Sequence, residues 1–186
     1  MEQIYNMILC TGNPTHNTVA SAVNKRFSNV DFASRATGYD LRFWEPGSED
    51  FFRNKIKNYK VFINSSYICR YGQLTLLETV HQIWSDNNIC GHIINIGSSS
   101  EYLGTENIDN STASEFGSYS IQKRALRDRS LQLNGLNNIK TTHIIAGGLN
   151  DGKSTHKNWL DLAHIADLTE WIINHPCTIP IIGISV

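Results

Sequence analysis

The stretch "NMILCTGNPTHNTVASAVNKRF" (residues 6–27) carries the strongest signal for the fold of this chain. It opens with a short apolar run, NMILC (6–10), which predicts a buried strand. Gly12 then suits a tight turn, and TVASAVNKRF (18–27) places its apolar residues at helical spacing. The stretch therefore predicts a strand, a turn and a helix whose free N–H groups could receive a phosphate.

The same alternation continues to the end of the sequence. Further apolar runs predict strands at 30–34, 38–41 (a short third strand), 60–66, 91–100, 139–148 and 179–186. Amphipathic segments predict helices at 48–59, 72–86, 117–133 and 159–175. Nearly all-apolar strands that alternate with helices are typical of a parallel sheet covered on both faces. We therefore expect an α/β fold, a single-domain Rossmann-like doubly wound sheet over residues 1–186 with about seven strands, mostly parallel.

Composition excludes several classes of function. Sixteen basic and seventeen acidic residues give a net charge of −1, which argues against an electrostatic grip on nucleic acid or an anionic membrane. No signal peptide or membrane-length apolar run is evident, so a cytoplasmic protein is expected. The cysteines form no C-x-x-C pair and the histidines no metal-ligand spacing, which favours reduced thiols and no metal site.

Polar turns follow three of the predicted strands. Ligands of such folds bind at the carboxyl ends of the strands, where CTGNPTHNTVAS (10–21), INSSY (63–67) and NIGSSS (95–100) are expected to lie. Ser and Asn also cap helices, so each turn alone has a structural alternative. YSIQK (119–123) adds a phenol and an ammonium four residues apart, which places them on one face of a helix.

In their order and spacing these motifs resemble the short-chain dehydrogenase/reductase family, from about residue 5 to the end. TGNPTHNT (11–18) stands at the family's T-G-x-x-x-G-x-G turn, INSSY at its Asn-Asn-Ala-Gly turn, and YSIQK at its Tyr-x-x-x-Lys. YDL (39–41) resembles the adenine-contacting pair, INIGS (94–98) the strand that ends in the catalytic serine, and IIAGG (144–148) the Pro-Gly turn beside the nicotinamide. The cofactor-binding residues that the resemblance implies are Gly12, Asn13, Thr15, His16, Asn17, Arg35, Asp40, Leu41, Asn64, Ser65, Ser66, Tyr119, Lys123 and Gly147.

The resemblance also implies a reaction, the transfer of a hydride between a nicotinamide and a small carbonyl or alcohol substrate. Tyr119 would be the general acid/base, Lys123 would lower its pKa and hold the nicotinamide ribose, and Ser98 would donate a hydrogen bond to the reacting oxygen. Arg35, which follows the second strand, predicts a preference for NADP(H), with NAD(H) as the alternative. A homo-dimer or homo-tetramer is implied by helices 72–86 and 117–133, which pair between subunits in the family.

The chain departs from the family pattern at several positions. His16 and Thr18 replace two glycines of the first turn, and their side chains either obstruct a pyrophosphate or compensate by hydrogen bonding. Cys69 stands where an Asn would complete a proton relay, the lid between Gly148 and Trp159 is short, and Ser99 or Ser100 could replace Ser98. A catalytically inactive NAD(P)-binding module for regulation or assembly is therefore the alternative function.

Overall fold

A six-stranded parallel sheet forms the centre of the protein. A computed structural model describes residues 7–41, 48–68, 70–102 and 113–186, with the backbone alone for 48, 49, 51 and 113–117. The strands are β1 (Ile8–Thr11), β2 (Val30–Ala33), β3 (Val61–Asn64), β4 (His92–Ile96), β5 (Lys140–Ala146) and β6 (Ile181–Ile184). The helices are α1 (Val19–Arg26), α2 (Ser48–Ile56), α3 (Gly72–Asp86), α4 (Ala113–Leu133) and α5 (Leu162–Asn174).

The strand order is β2-β1-β3-β4-β5-β6, which confirms the predicted Rossmann-like doubly wound sheet. The chain moves outward from β1 to β2 and then returns to the other side of β1, so the order reverses between β1 and β3. This switch point is where a doubly wound sheet opens a crevice at the carboxyl ends of its strands.

The predicted third strand at 38–41 is wrong, and six strands are described where about seven were expected. A 3-10 turn occupies Arg35–Thr37, and Gly38 follows in the left-handed region at φ 90°. The apolar side chains instead fill a loop: Tyr39 is buried and packs edge-on against Phe52 of α2, with ring centroids 6.4 Å apart. The apolar pattern correctly predicted buried side chains, but these side chains belong to a loop that packs on α2.

Two apolar clusters cover the two faces of the sheet. Successive residues of a strand point to opposite faces, so Val61 and Ile63 of β3 join α1 and α5, whereas Phe62 joins α2, α3 and α4. The inner strands β1 and β3 are buried on both faces, as their nearly continuous apolar sequences predicted, whereas the edge strands β2 and β6 are partly exposed. Among the residues described, no helix combines the length and apolar character needed to cross a membrane.

Helix boundaries follow local capping chemistry. Thr18 is the N-cap of α1 and forms a capping box with Ser21. Helix α5 begins at Leu162, three residues later than predicted, because the Asp161 carboxylate accepts the Ala163 N–H and fixes the start there.

Substitution of Trp84 tests how much the packing of α3 contributes to the free energy of unfolding. Its side chain is fully buried and its Nε1 donates to the Ile56 carbonyl at 3.1 Å. We expect Trp84→Phe to lower the free energy of unfolding by about 1–3 kcal/mol, through the lost donor and the space left behind. The matched control is Trp171→Phe, at a half-exposed site on α5, where the change should stay within about 0.5 kcal/mol. Urea unfolding followed by circular dichroism measures both, and equal losses would contradict this account.

Candidate active site

A cavity of about 440 Å³ opens at the switch point between β1 and β3. It lies at the carboxyl ends of β1, β2 and β3, where a ligand was predicted. Seven of the predicted cofactor-binding residues line it, namely Gly12, Asn13, His16, Arg35, Asp40, Leu41 and Ser66. A smaller adjoining space of about 230 Å³ is lined by Gly12, Asn13, Ser65 and Ser66 among others. The structure therefore brings together residues that are widely separated in the sequence.

Gly12 is required by the geometry of the first turn. Its φ is +124°, which L side chains rarely adopt, and a Cβ there would lie 2.9 Å from the Ala20 Cβ. The neighbouring turn is fixed from β1, because Thr11 Oγ1 accepts the backbone N–H groups of Ser65 and Ser66 at 2.9 and 3.0 Å. The floor of the cavity is thus a close-packed pair of turns beside the N-terminus of α1.

Six predicted cofactor-binding residues lie outside the lining of these two spaces: Thr15, Asn17, Asn64, Tyr119, Lys123 and Gly147. Thr15 donates from both its N–H and its hydroxyl to Asn13 Oδ1, which stiffens the turn. Asn64 is fully buried, and its side-chain amide donates to the Gln73 carbonyl at 2.8 Å. Gly147 follows β5, where its N–H donates to the Ile184 carbonyl at 2.8 Å.

The three predicted catalytic residues come together beyond β4. Tyr119 and Ser98 are joined by a side-chain hydrogen bond, and Lys123 Nζ lies 5.5 Å from the centroid of the Tyr119 ring. Ser99 is exposed, whereas Ser100 donates from its hydroxyl to Ser98 Oγ at 2.9 Å. Among the three serines, Ser98 is therefore the one bonded to Tyr119, with Ser100 behind it.

An aromatic contact links this group to the cavity. The ring of Tyr67 lines the cavity and meets the ring of Tyr119 edge-on, with centroids 4.9 Å apart. Beyond Tyr67 the backbone is unusual, because Arg70 and Tyr71 both have positive φ just before α3 begins. Cys69, the predicted departure from the proton relay, lies outside the described residues.

Burial shifts the two titrating groups of the pair in opposite directions. It raises the pKa of the Tyr119 phenol, which the hydrogen bond from Ser98 partly opposes. It lowers the pKa of the Lys123 amine from 10.5 to about 7, although the negative charge of Glu101 acts to raise this pKa. The net shift of the Tyr119 pKa is upward because desolvation dominates, and the effect of Lys123 on this pKa stays a prediction.

Sequence reasoning missed the groups that hold Lys123. Its Nζ donates to Gln73 Oε1 at 2.7 Å and to the Ile96 carbonyl at 2.8 Å. Gln73 in turn donates to the carbonyls of Asn64 and Ile96, at 2.9 and 3.3 Å. Gln73 is buried in the first turn of α3. The Lys123 side chain of α4 is therefore held by the Gln73 side chain of α3.

A row of buried polar side chains continues this network across the sheet. Asn64, Asn95 and His143 are register partners on β3, β4 and β5, and all three are fully buried. Asn64 donates to Asn95 Oδ1 at 3.0 Å, and Asn95 donates to Ser130 Oγ of α4 at 3.1 Å. In the sequence, Asn64 and Asn95 each stand near the end of an apolar run, whereas His143 follows two threonines in the middle of β5.

The lid predicted to be short is a compact segment over residues 148–160. Leu149 and Leu160 form a parallel bridge at its base, and the rings of His156 and Trp159 stack 3.8 Å apart. Hydrogen bonds from Lys153 and His156 lower the pKa of the Asp151 carboxyl. Nowhere in the described ranges do three His, Cys, Asp or Glu side chains group as metal ligands.

Lys123 should make the stability of the protein rise with pH. Between about pH 7 and pH 10.5 its amine is neutral in the folded protein but charged in the unfolded chain, so the unfolded state binds one proton more. Relative to Lys123→Met, the wild type should therefore gain stability across this window, by on the order of a few kcal/mol. Below pH 7 the difference should be constant. Lys157→Met, at an exposed lysine, should show no such slope in urea unfolding at stepped pH.

Comparisons with known proteins agree with this architecture. No model of a known family matches the sequence, and no curated protein is significantly similar to it. A short-chain dehydrogenase from Streptomyces avermitilis has a TM-score of 0.70 at 12% identity, over 99% of this chain and 89% of that one. A short chain dehydrogenase from Burkholderia cenocepacia J2315 in complex with NADP also has a TM-score of 0.70 at 12% identity, over 97% and 89%. A 4-hydroxyisoleucine dehydrogenase complexed with NADH has a TM-score of 0.66 at 16% identity, over 91% of each chain. The chain therefore has the fold of the short-chain dehydrogenases/reductases.

Proposed function

We propose that this protein is an NAD(P)-dependent oxidoreductase that transfers a hydride between NADP(H) and a small carbonyl or alcohol substrate. The observation that carries the proposal is the Ser98–Tyr119 hydrogen bond with the buried Lys123 amine beside it, next to the cavity at the switch point. Two of the structural neighbours described above are complexed with NADP or NADH, which supports the cofactor class.

The residues of the cavity fit a dinucleotide. The close approach at Gly12, where a Cβ would contact Ala20, leaves backbone within reach of a pyrophosphate at the N-terminus of α1. Asp40 and Leu41 would hold the adenine end, and Arg35 the 2′-phosphate of NADP. Lys123 would bind the nicotinamide ribose with the ammonium proton that Gln73 and Ile96 leave unused. The cofactor supplies the hydride, and the protein supplies orientation and proton transfer.

Tyr119 is suited to donate a proton to a carbonyl oxygen. Because burial raises its pKa, the phenol is protonated at neutral pH, as a general acid must be. The Ser98 hydroxyl, which donates to Tyr119 in this structure, would turn its single proton to the same oxygen as negative charge develops there. Alcohol oxidation would require the phenolate, which this environment disfavours.

The alternative is a cofactor-binding module that has lost catalysis. The observation in its favour is that the His16 side chain lines the cavity at a position where the family has a glycine. Titration with NADPH and NADH, followed by a panel of small carbonyl substrates, separates the two functions. Binding with turnover supports the enzyme, binding without turnover supports the module, and no binding to either cofactor would contradict both.

Tyr119→Phe tests the proton donor. The change removes one hydroxyl, so cofactor affinity should stay near that of the wild type while kcat for carbonyl reduction falls roughly 10²- to 10⁴-fold. Tyr59→Phe is the control. It removes a hydroxyl from a buried tyrosine just before β3, at the amino ends of the strands and away from the cavity, and should leave kcat unchanged. Steady-state kinetics with fluorescence titration of NADPH measures both. An undiminished kcat in Tyr119→Phe would assign the proton to another group.

Arg35 should determine cofactor choice. It is exposed on the 3-10 turn after β2 and lines the cavity, where its guanidinium can pair with a 2′-phosphate. We expect Arg35→Ala to weaken NADPH binding roughly 10- to 100-fold, with little change for NADH. Arg129→Ala, which removes a guanidinium paired with Glu78 between α3 and α4, should change neither affinity. Equal losses for the two cofactors would refute the assignment.

Assembly and location remain predictions. A homo-dimer or homo-tetramer through the outer faces of α3 and α4 is supported by the exposed apolar side chains of Ile121 and Leu131 on α4. The cytoplasmic location and the single domain over residues 1–186 rest on the sequence. Sedimentation analysis of the purified chain distinguishes the assembly states.

A further inference from the structure

The hydroxyl of Ser98 is held by a second serine of the same turn. Ser100 donates a hydrogen bond from its hydroxyl to Ser98 Oγ at 2.9 Å, and its backbone N–H donates to the same oxygen at 3.3 Å. A serine hydroxyl has two lone pairs and one proton. Both lone pairs of Ser98 Oγ are therefore occupied by Ser100, and Ser98 can form a further hydrogen bond only as a donor.

The proton of Ser98 is directed to Tyr119. Although burial raises the pKa of the Tyr119 phenol overall, the hydrogen bond from Ser98 acts to lower it, which is the effect of a donor on a phenol oxygen. The three hydroxyls thus form a chain in which Ser100 donates to Ser98 and Ser98 donates to Tyr119. Hydrogen bonds that run in one direction polarise one another, so the first hydroxyl of the chain affects the last.

Ser100 is itself held in place by its neighbours. It is 6% exposed and belongs to the 3-10 turn after β4. The Glu101 N–H donates to the Ser98 carbonyl at 3.1 Å and closes this turn. Arg124 of α4 donates its Nε to the Glu101 carbonyl at 3.1 Å, and the buried Glu101 carboxylate is bonded to His143 Nε2 of β5 at 2.9 Å. The hydroxyl of Ser100 therefore reaches Ser98 from a turn that is fixed to both α4 and β5.

We propose that Ser100 is a positioning residue of the candidate active site, which keeps Ser98 a hydrogen-bond donor toward Tyr119 and the reacting oxygen. Without Ser100, the Ser98 hydroxyl could rotate and accept a hydrogen bond from the phenol, which would turn the phenol proton away from a carbonyl substrate. In this role Ser100 contacts neither substrate nor cofactor and acts through Ser98 alone. The chain of hydroxyls belongs to the protein by itself, whereas its part in catalysis rests on the proposed function.

The direct test is the ¹³Cζ resonance of Tyr119 in protein labelled with ¹³Cζ-tyrosine, assigned with Tyr119→Phe. This chemical shift responds to hydrogen bonding at the phenol oxygen, and Ser98→Ala gives its value when the donor is lost. We expect Ser100→Ala to move the resonance in the same direction, and Ser100→Thr, which keeps the hydroxyl, to leave it near the wild-type value. The control Ser99→Ala changes the exposed serine between them and should not move it. An unmoved resonance in Ser100→Ala would overturn the proposal.

Ser100→Ala also removes a buried hydroxyl, so a double variant separates its effect on Ser98 from a general disturbance of the turn. If Ser100 acts through Ser98, adding Ser100→Ala to Ser98→Ala should shift the Tyr119 resonance no further. A further shift as large as that of the single variant would overturn the proposal. These measurements need neither cofactor nor substrate, so absence of NADPH binding would defeat the proposed function and leave the chain of hydroxyls intact.

Reduction of the carbonyl panel with NADPH tests the part in catalysis. Loss of one neutral hydrogen bond predicts that Ser100→Ala lowers kcat roughly 3- to 10-fold, while KM for the carbonyl and the affinity for NADPH stay near those of the wild type. Ser100→Thr should recover kcat, which a general loss of structure would not allow. An unchanged kcat in Ser100→Ala would refute the positioning role, whereas an inactive wild type would defeat the proposed function.

Discussion

The arrangement of the protein depends on the hydrogen-bond partners found for polar side chains that are buried within β3, β4 and β5. Asn64, Asn95 and His143 stand side by side in the sheet, and an unpaired polar group at such depth is costly. Gln73 of α3 and Ser130 of α4 supply partners to this row. Helices α3 and α4 are therefore held on the sheet by hydrogen bonds in addition to apolar packing. Because Tyr119 lies on α4, these bonds also fix its position.

Burial shifts the pKa values of the two titrating side chains at the candidate site, and it also makes a charge there costly. The same desolvation that keeps the Tyr119 phenol protonated makes a charged Lys123 expensive. Neighbouring groups offset that cost in part: Gln73 and Ile96 accept hydrogen bonds from the amine, and Glu101 contributes charge. Such a site is stable only as a unit, since removal of one member leaves the others buried without compensation.

Local patterns in the sequence predicted the parts of the fold that local physics determines. The alternation of apolar runs with amphipathic segments located six strands and five helices, and α3 was predicted with its observed bounds. The third strand failed because Gly38 turns the chain and Tyr39 packs on α2, which an apolar pattern alone does not reveal. Ser98, Tyr119 and Lys123 were found through ordered motifs. Gln73, Glu101 and His143 act across long sequence separations, and their pairing becomes visible only when the strands are in register.

The lid over residues 148–160 has a consequence for how substrates would bind. It is folded by its own contacts, with Leu149 bridged to Leu160 and His156 stacked on Trp159, whose ring lies so close to Gly148 that a Cβ there would approach it to 2.8 Å. A segment that is already ordered adds little conformational entropy cost when a ligand binds. In the proposed enzyme, any contribution of this segment to substrate binding would therefore draw on contacts that already exist and would need no separate ordering step.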